Sequence, residues 1–295
     1  MRMAKTRHLV REVDGGRVRY REAGRPGGTA VVLVHGYPSS SYTFREVLPV
    51  LGERFYAIAP DLPGFGFSDV PPLEECTFER LSNVIEALVE QLGVERYVLY
   101  MTDFGTPVGY FMATRHPERV LGLVVQNGSA HEEGMHEAWD APRRFWADPT
   151  EENRAALPEW LNFTGTRDQY IGEQRPDLQE LYPCESWHLD WERLSRPGNI
   201  DVQFQLFYDY RNHVARFADI AKYHREFQPP CLVLWGRHDP YFDIAEVLAY
   251  HREMTDLDAH LYDAGHCLLE THAAEVAAQL VEFVGDVFDR NGIRA

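Results

Sequence analysis

The chain has 295 residues, of which 44% are hydrophobic, and a formal net charge of -17 at pH 7. This charge disfavours nucleic-acid binding, because contacts to phosphates need a basic surface. The sequence contains no run close to the ~20 apolar residues of a membrane span and no apolar signal region near its first residue. We therefore expect a cytoplasmic protein without membrane or nucleic-acid partners. The four widely spaced cysteines are expected to be reduced thiols.

Strand and helix patterns alternate along the chain. Strands are predicted at residues 8–13, 17–22, 30–34, 55–59, 97–100, 120–125, 231–234 and 260–262. A hairpin at Asp14-Gly15-Gly16 joins the first two strands. Helical periodicity lies at 42–51, 77–92, 108–116 and 274–290. This alternation predicts an α/β fold, with a mostly parallel eight-stranded sheet flanked by helices.

One long stretch lacks the pattern of a buried strand. Residues 128–217 are rich in Trp, Glu, Arg and Pro, with short helical patterns at 142–147 and 151–160. The simplest organisation is an α/β core formed by 1–127 and 218–295. A helical cap at 128–217 would be inserted after the sixth core strand and would cover the mouth of the core.

The run Tyr-Val-Leu-Tyr-Met-Thr-Asp-Phe-Gly at 97–105 predicts a nucleophile elbow, a tight strand-to-helix turn that exposes one side chain. Asp103 stands where such elbows usually carry Ser. A carboxylate has a reference pKa of ~3.9 and is ionised at neutral pH, so it attacks without a base. Its attack on a carbonyl would give an anhydride, whereas its attack on a saturated carbon gives an ordinary ester. The residue therefore points to alkyl substrates with a leaving group, such as epoxides or organohalides.

Three further segments follow predicted strands. The His35-Gly36-Tyr37-Pro38 turn can supply the backbone N–H of Tyr37 to an oxyanion hole, with that of Phe104 as the second donor. Asp239 follows the strand at 231–234, and His266 follows the strand at 260–262. Open α/β sheets place their sites beyond the carboxyl ends of parallel strands.

The order Asp103, Asp239, His266 is the order of nucleophile, acid and histidine in α/β-hydrolases. The chain resembles this superfamily in its branch of epoxide hydrolases and haloalkane dehalogenases. Besides the residues above, the segment Asp61-Leu62-Pro63-Gly64-Phe65-Gly66-Phe67-Ser68 carries the likeness. The resemblance implies an α/β-hydrolase fold with an inserted helical cap. It also implies that Asp103 is the nucleophile, His266 the base and Asp239 its orienting acid, with no metal or organic cofactor.

Some positions depart from the family pattern. Met101 stands two residues before the nucleophile, where a small residue is usual, so the elbow must accommodate its bulk. Phe104 replaces the Trp whose indole N–H helps to hold halide in many dehalogenases. Tyr37 matches the aromatic residue that epoxide hydrolases carry after His-Gly.

Epoxide hydrolases donate protons to the epoxide oxygen from cap tyrosines. Tyr210, in Tyr-Arg-Asn just before the chain returns to the core, resembles the second of these. Tyr170 is chosen as the first, with Tyr182 and Tyr208 as alternatives. The expected function is hydrolysis of an epoxide to a diol through an aspartyl ester.

Two alternatives stay open at this point. One is a haloalkane dehalogenase that uses the same Asp103, and the other is a non-catalytic, ligand-binding α/β-hydrolase fold, because fold alone does not imply activity. The expected partner is a small apolar alkyl electrophile. The sequence leaves the oligomeric state open.

Overall fold

The computed structural model describes residues 4–172 and 174–293. In this part of the chain eight strands form one sheet: β1 Arg7–Val13, β2 Gly16–Ala23, β3 Thr29–Val34, β4 Ala57–Pro60, β5 Arg96–Thr102, β6 Val120–Gln126, β7 Cys231–Gly236 and β8 Leu257–Tyr262. Their spatial order is β1-β2-β4-β3-β5-β6-β7-β8. The β1–β2 and β2–β4 pairs are antiparallel, and all later pairs are parallel. The predicted fold class is therefore confirmed.

The described helices are α1 Val47–Leu51, α2 Phe78–Gln91, α3 Gly105–Arg115, α4 Asp140–Ala147, α5 Glu151–Ala155, α6 Phe163–Ile171, α7 Pro176–Gln179, α8 Cys184–Leu194, α9 Asn199–Val214, α10 Phe217–Phe227, α11 Ala245–Glu253 and α12 Leu269–Arg290. The sheet separates two apolar cores, because successive strand residues face opposite sides. Val32 and Val34 of β3 pack with α2 and α3, whereas Val31 and Leu33 pack with α1 and α12. None of these helices combines the length and the apolar character that a membrane crossing requires.

Proline limits two of the predicted helices. The pattern at 42–51 is divided into a 3₁₀ turn at Ser41–Phe44 and the short helix α1. A continuous helix would place Pro49 in its interior, whereas α1 holds it in the first turn, where the missing N–H costs nothing. Similarly, α5 ends at Ala155 instead of reaching residue 160, because Pro158 disfavours helical backbone in the residue before it.

The chain between β6 and β7, which we call the inserted segment, contains helices α4 to α10. Helix α9 from this segment packs against α2 of the sheet-flanking layer, and α10 packs against α3. The predicted division into a core of 1–127 and 218–295 and a cap of 128–217 stays a prediction, and its second boundary falls at the first residue of α10.

The bulk of Met101 is accommodated by a glycine on the following helix. Met101 is fully buried at the end of β5. A Cβ placed on Gly109, one turn into α3, would overlap the Sδ and Cγ atoms of this methionine. The thioether therefore occupies the space that a side chain at Gly109 would fill.

This packing predicts energetic coupling between the two positions. Gly109→Ala should lower the free energy of unfolding by about 1–3 kcal/mol through overpacking. Met101→Ala should lower it by about 2–5 kcal/mol through the cavity that it leaves. In the double variant the new methyl group enters that cavity, so the loss should be smaller than the sum by at least about 1 kcal/mol. Urea denaturation measures all three values.

Gly27→Ala is the matched control, because a Cβ at Gly27 meets no atom within 4 Å. It should change stability by less than about 0.5 kcal/mol. Strict additivity of the Gly109 and Met101 changes would contradict the proposed contact.

Candidate active site

The turn between β5 and α3 carries Asp103 in a left-handed backbone conformation, with a φ of 48°. Such a conformation costs a non-glycine residue about 1–3 kcal/mol and persists only where the surrounding structure imposes it. Here the start of α3 packs directly on β3, since a Cβ on Gly105 would overlap the carbonyl oxygen of Val34. This strained turn between strand and helix has the geometry of a nucleophile elbow.

Backbone amides lie against the carboxylate of Asp103. The N–H of Tyr37 donates to Oδ1 at 2.5 Å, and the N–H of Phe104 also bonds to the carboxylate. Burial raises the pKa of Asp103 to about 6, although His266 and these two amides act to lower it. The two predicted oxyanion donors therefore converge on the predicted nucleophile itself.

The second oxygen of Asp103 faces His266, whose Nε2 lies 3.7 Å from Oδ2. On the opposite side of the ring, Nδ1 bonds to Oδ2 of Asp239 at 2.8 Å. Burial acts to lower the pKa of His266, but the carboxylates of Asp239 and Asp103 outweigh it and raise the pKa. The backbone N–H groups of Tyr241 and Phe242 donate to Oδ1 of Asp239 at 2.7 and 3.2 Å and fix its orientation. The three residues form a connected array.

Asn127 also belongs to this array, although the sequence analysis did not select it. It follows β6 directly, with a φ of 40°. Its Nδ2 donates to Oδ2 of Asp239 at 2.8 Å, and its backbone carbonyl accepts the N–H of Asp103 at 3.2 Å. Asn127 therefore links the elbow to the acid. Its position after a parallel strand could have identified it from the sequence, since the same rule selected Asp239 and His266.

A small cavity lies over Asp103. Its other described lining residues are largely aromatic: Tyr37, Trp139, Trp160, Gln169, Phe207 and Tyr241. The volume open to the centre of a water molecule is about 10 Å³, which is room for about one water. Trp160 and Phe207 also line a neighbouring cavity of about 370 Å³ between the segment 142–162 and α9. A substrate larger than water needs some of the lining side chains to move.

Tyr210 lies next to this cavity but is not among the described residues that line it. Its ring stacks on Trp139, with centroids 4.6 Å apart, and packs on Phe104. Its hydroxyl hydrogen-bonds to Oγ of Ser129 at 3.0 Å. In this conformation the ring of Tyr210 supports Trp139, and the hydroxyl of Tyr210 is already hydrogen-bonded to Ser129.

The structure does not bring Tyr170 to the cavity. Its buried hydroxyl donates to Asp190, and its ring packs with Tyr182 and Trp187 in a separate apolar cluster. The adjacent residue of α6, Gln169, lines the cavity instead, because neighbouring helical residues point in directions about 100° apart. The assignment of Tyr170 as a proton donor stays a prediction, which this location does not support.

The loop that follows β4 joins the site to the inserted segment. His35 accepts the N–H of Leu62 through Nε2 at 2.9 Å, which fixes this loop beside the turn that carries Tyr37. The carbonyl of Gly64 accepts hydrogen bonds from Asn199 and Gln203 of α9, at 2.9 and 3.2 Å. The loop therefore anchors α9 over the elbow.

The raised pKa of Asp103 predicts a stability cost for its charge. The folded protein binds this proton more tightly than the unfolded chain, so the ionised carboxylate destabilises the fold above pH ~6, and the cost disappears below pH ~4. Asp103→Asn should therefore raise the free energy of unfolding by up to about 3 kcal/mol at pH 8, and the gain should decrease between pH 6 and pH 4.

Chemical denaturation at a series of pH values measures this gain, with the exposed Asp286→Asn as the control. A gain that is absent at pH 8, or that grows as the pH falls, would contradict the assigned cost.

Comparison with known proteins supports the architecture. Residues 29–273 match the family model described as alpha/beta hydrolase fold. The chain is 34% identical over 284 residues to an uncharacterized hydrolase of Saccharomyces cerevisiae, covering 95% of this chain and 97% of the relative. It is 28% identical to a cis-3-alkyl-4-alkyloxetan-2-one decarboxylase of Shewanella oneidensis, covering 94% of this chain and 88% of the relative.

Two solved structures share the fold at 20% sequence identity. The epoxide hydrolase CorEH aligns with a TM-score of 0.76, covering 96% of this chain and all of the other. The haloalkane dehalogenase DbeA of Bradyrhizobium elkani aligns with a TM-score of 0.77, covering 97% of this chain and all of the other. The prediction of a hydrolase is confirmed, and the chain belongs to the α/β-hydrolase fold family.

Proposed function

We propose that the protein hydrolyses a small apolar alkyl electrophile in two steps through an ester on Asp103, with an epoxide as the first candidate substrate. One observation supports this proposal above all. The two oxygens of Asp103 have different surroundings, with Oδ1 bonded to the backbone of Tyr37 and Oδ2 3.7 Å from His266. This asymmetry suits a carboxylate that reacts through one oxygen while the other is stabilised.

In the first step, Oδ2 of Asp103 attacks the saturated carbon and the leaving group takes the bonding electron pair. The product is an alkyl ester whose carbonyl oxygen is Oδ1. The amide of Tyr37 then points at the oxygen that becomes negative when water adds to this ester, and the amide of Phe104 lies at the same carboxyl group. Such preorganised donors are typically worth about 3–4 kcal/mol each in the transition state.

In the second step, His266 accepts a proton from the attacking water. Before the reaction, the carboxylate of Asp103 helps to raise the pKa of His266. Esterification makes this side chain neutral and so removes that contribution, which favours the unprotonated imidazole when a base is needed. Asp239 keeps the ring oriented through Nδ1 in both states. Formation of the ester thus activates its own hydrolysis.

The surroundings of the leaving group favour a second candidate, a haloalkane. An alkoxide from an epoxide needs an acid, but the hydroxyl of Tyr210 bonds to Ser129 and that of Tyr37 donates to the carbonyl of Trp160. Trp160 and Gln169 line the cavity and carry N–H groups that can donate weakly to a halide. The aromatic lining suits an apolar substrate of either class.

His266→Gln should stop the reaction at the ester. The first step needs only the ionised Asp103, whereas hydrolysis needs the base, and removal of a positioned base typically costs about 10²–10⁴-fold in rate. Incubation with a panel of epoxides and haloalkanes, followed by intact-protein mass spectrometry, should show one covalent adduct. An epoxide adds the mass of the whole molecule, whereas a haloalkane adds that of the molecule less hydrogen halide.

Two controls accompany this measurement. Asp103→Asn should form no adduct, and His238→Gln, which changes a neighbouring histidine that pairs with Asp263, should turn over like the wild type. The panel also includes an alkyl oxetanone, because the Shewanella relative is named for this substrate. Normal turnover of His266→Gln, or an adduct on Asp103→Asn, would refute the assigned roles.

A further inference from the structure

A second buried cluster of ionisable side chains lies outside the candidate active site. The imidazoles of His131 and His224 converge on one carboxylate oxygen, Oε2 of Glu253. Nε2 of His131 lies 3.1 Å from this oxygen, and Nδ1 of His224 lies 2.8 Å from it. All three ligand atoms lie within 4.8 Å of one another. The ligands of a tetrahedral zinc ion are about 3.3 Å apart, close to the two distances measured from Oε2 of Glu253.

Each imidazole is also oriented by a second partner. Nδ1 of His131 bonds to the fully buried Glu246 at 2.8 Å. Nε2 of His224 bonds to the hydroxyl of Tyr110 at 2.9 Å, and this hydroxyl is 2.7 Å from that of Tyr250. Metal-bound histidines typically use their other nitrogen in this way, with a carboxylate or another acceptor as the partner.

We infer that His131, His224 and Glu253 form a structural site for a divalent transition metal, with zinc as the preferred ion. Two histidines and one glutamate are a known zinc ligand set, and the ion leaves a fourth position for water. The second oxygen of Glu253 is held by Arg225 at 3.2 Å. Zinc is preferred over magnesium and calcium because imidazole is a poor ligand for those two ions. The Glu253 side chain is 14% exposed, so the ion can reach the site from solvent.

The cluster joins three separate parts of the chain. His131 follows β6, where the chain enters the inserted segment, His224 lies on α10, where it returns, and Glu253 ends α11. A bound ion would therefore crosslink the two ends of the insertion to the sheet-flanking layer. The site acts on stability and is independent of the reaction proposed for Asp103.

The test uses the whole chain of 295 residues, freed of any affinity tag and stripped of metal by chelation. Zn²⁺ should bind with a stoichiometry of one by calorimetry, and Co²⁺ should give visible absorption bands. At about 100 times the dissociation constant, Zn²⁺ should raise the melting temperature by about 4 °C. Anomalous scattering from a zinc-soaked crystal should place the ion about 2.0–2.2 Å from the three ligand atoms.

Substitutions distinguish the proposed metal ligands from the residues that orient them. Glu253→Gln keeps the size of the side chain and should weaken Zn²⁺ binding by more than about 100-fold. Glu246→Gln, which changes only a supporting partner, should weaken it by about 10–100-fold. His116→Gln removes a partly exposed histidine elsewhere and should bind like the wild type.

Thermal melting without metal first shows which variants fold, and His131→Gln replaces Glu253→Gln if the latter does not. Absence of Zn²⁺ uptake by the wild type would overturn the proposal. Equal binding by a folded ligand variant, or loss of binding in His116→Gln alone, would also overturn it by locating the ion elsewhere.

Discussion

The buried carboxylate of Asp103 is the constraint on which the candidate site depends. Burial raises its pKa to about 6, and the charge is tolerated because two backbone amides and His266 surround it. Several loops at this edge of the sheet contribute to that environment. The turn after β3 supplies Tyr37, the loop after β8 supplies His266, and the loop after β7 supplies the acid that orients it. Burial of this charge therefore lowers the stability of the fold, but it holds the reactive carboxylate in a fixed environment. Such a loss of stability is common at functional sites.

The core part of the site could be predicted from the sequence because its residues obey a topological rule. Parallel strands leave strong patterns, and the residues after their carboxyl ends meet at one edge of the sheet. Asp103, Asp239 and His266 were found in this way, and the structure brings them together: His266 bonds to Asp239 at 2.8 Å and lies 3.7 Å from Asp103. Asn127 satisfies the same rule but was missed, because an amide after a strand carries no reactive group of its own.

The inserted segment could not be predicted to the same depth. No spacing in the sequence relates a residue on a cap helix to the nucleophile, so the choice between neighbouring positions depended on family resemblance. On α6 the chosen Tyr170 bonds to Asp190, whereas its neighbour Gln169 lines the cavity. The ends of the short helices also depended on single prolines. Helix α5, for example, ends at Ala155, ahead of Pro158.

The central claim is that Asp103 becomes esterified and that water then attacks its carbonyl carbon. Multiple turnovers in heavy-oxygen water test it most directly, because each cycle leaves one solvent oxygen in the carboxylate. Proteolysis and peptide mass analysis should then show heavy oxygen in the side chain of Asp103, with Asp239 and Asp61 as unlabelled internal controls. An active enzyme whose Asp103 peptide stays unlabelled after many turnovers would contradict the covalent mechanism.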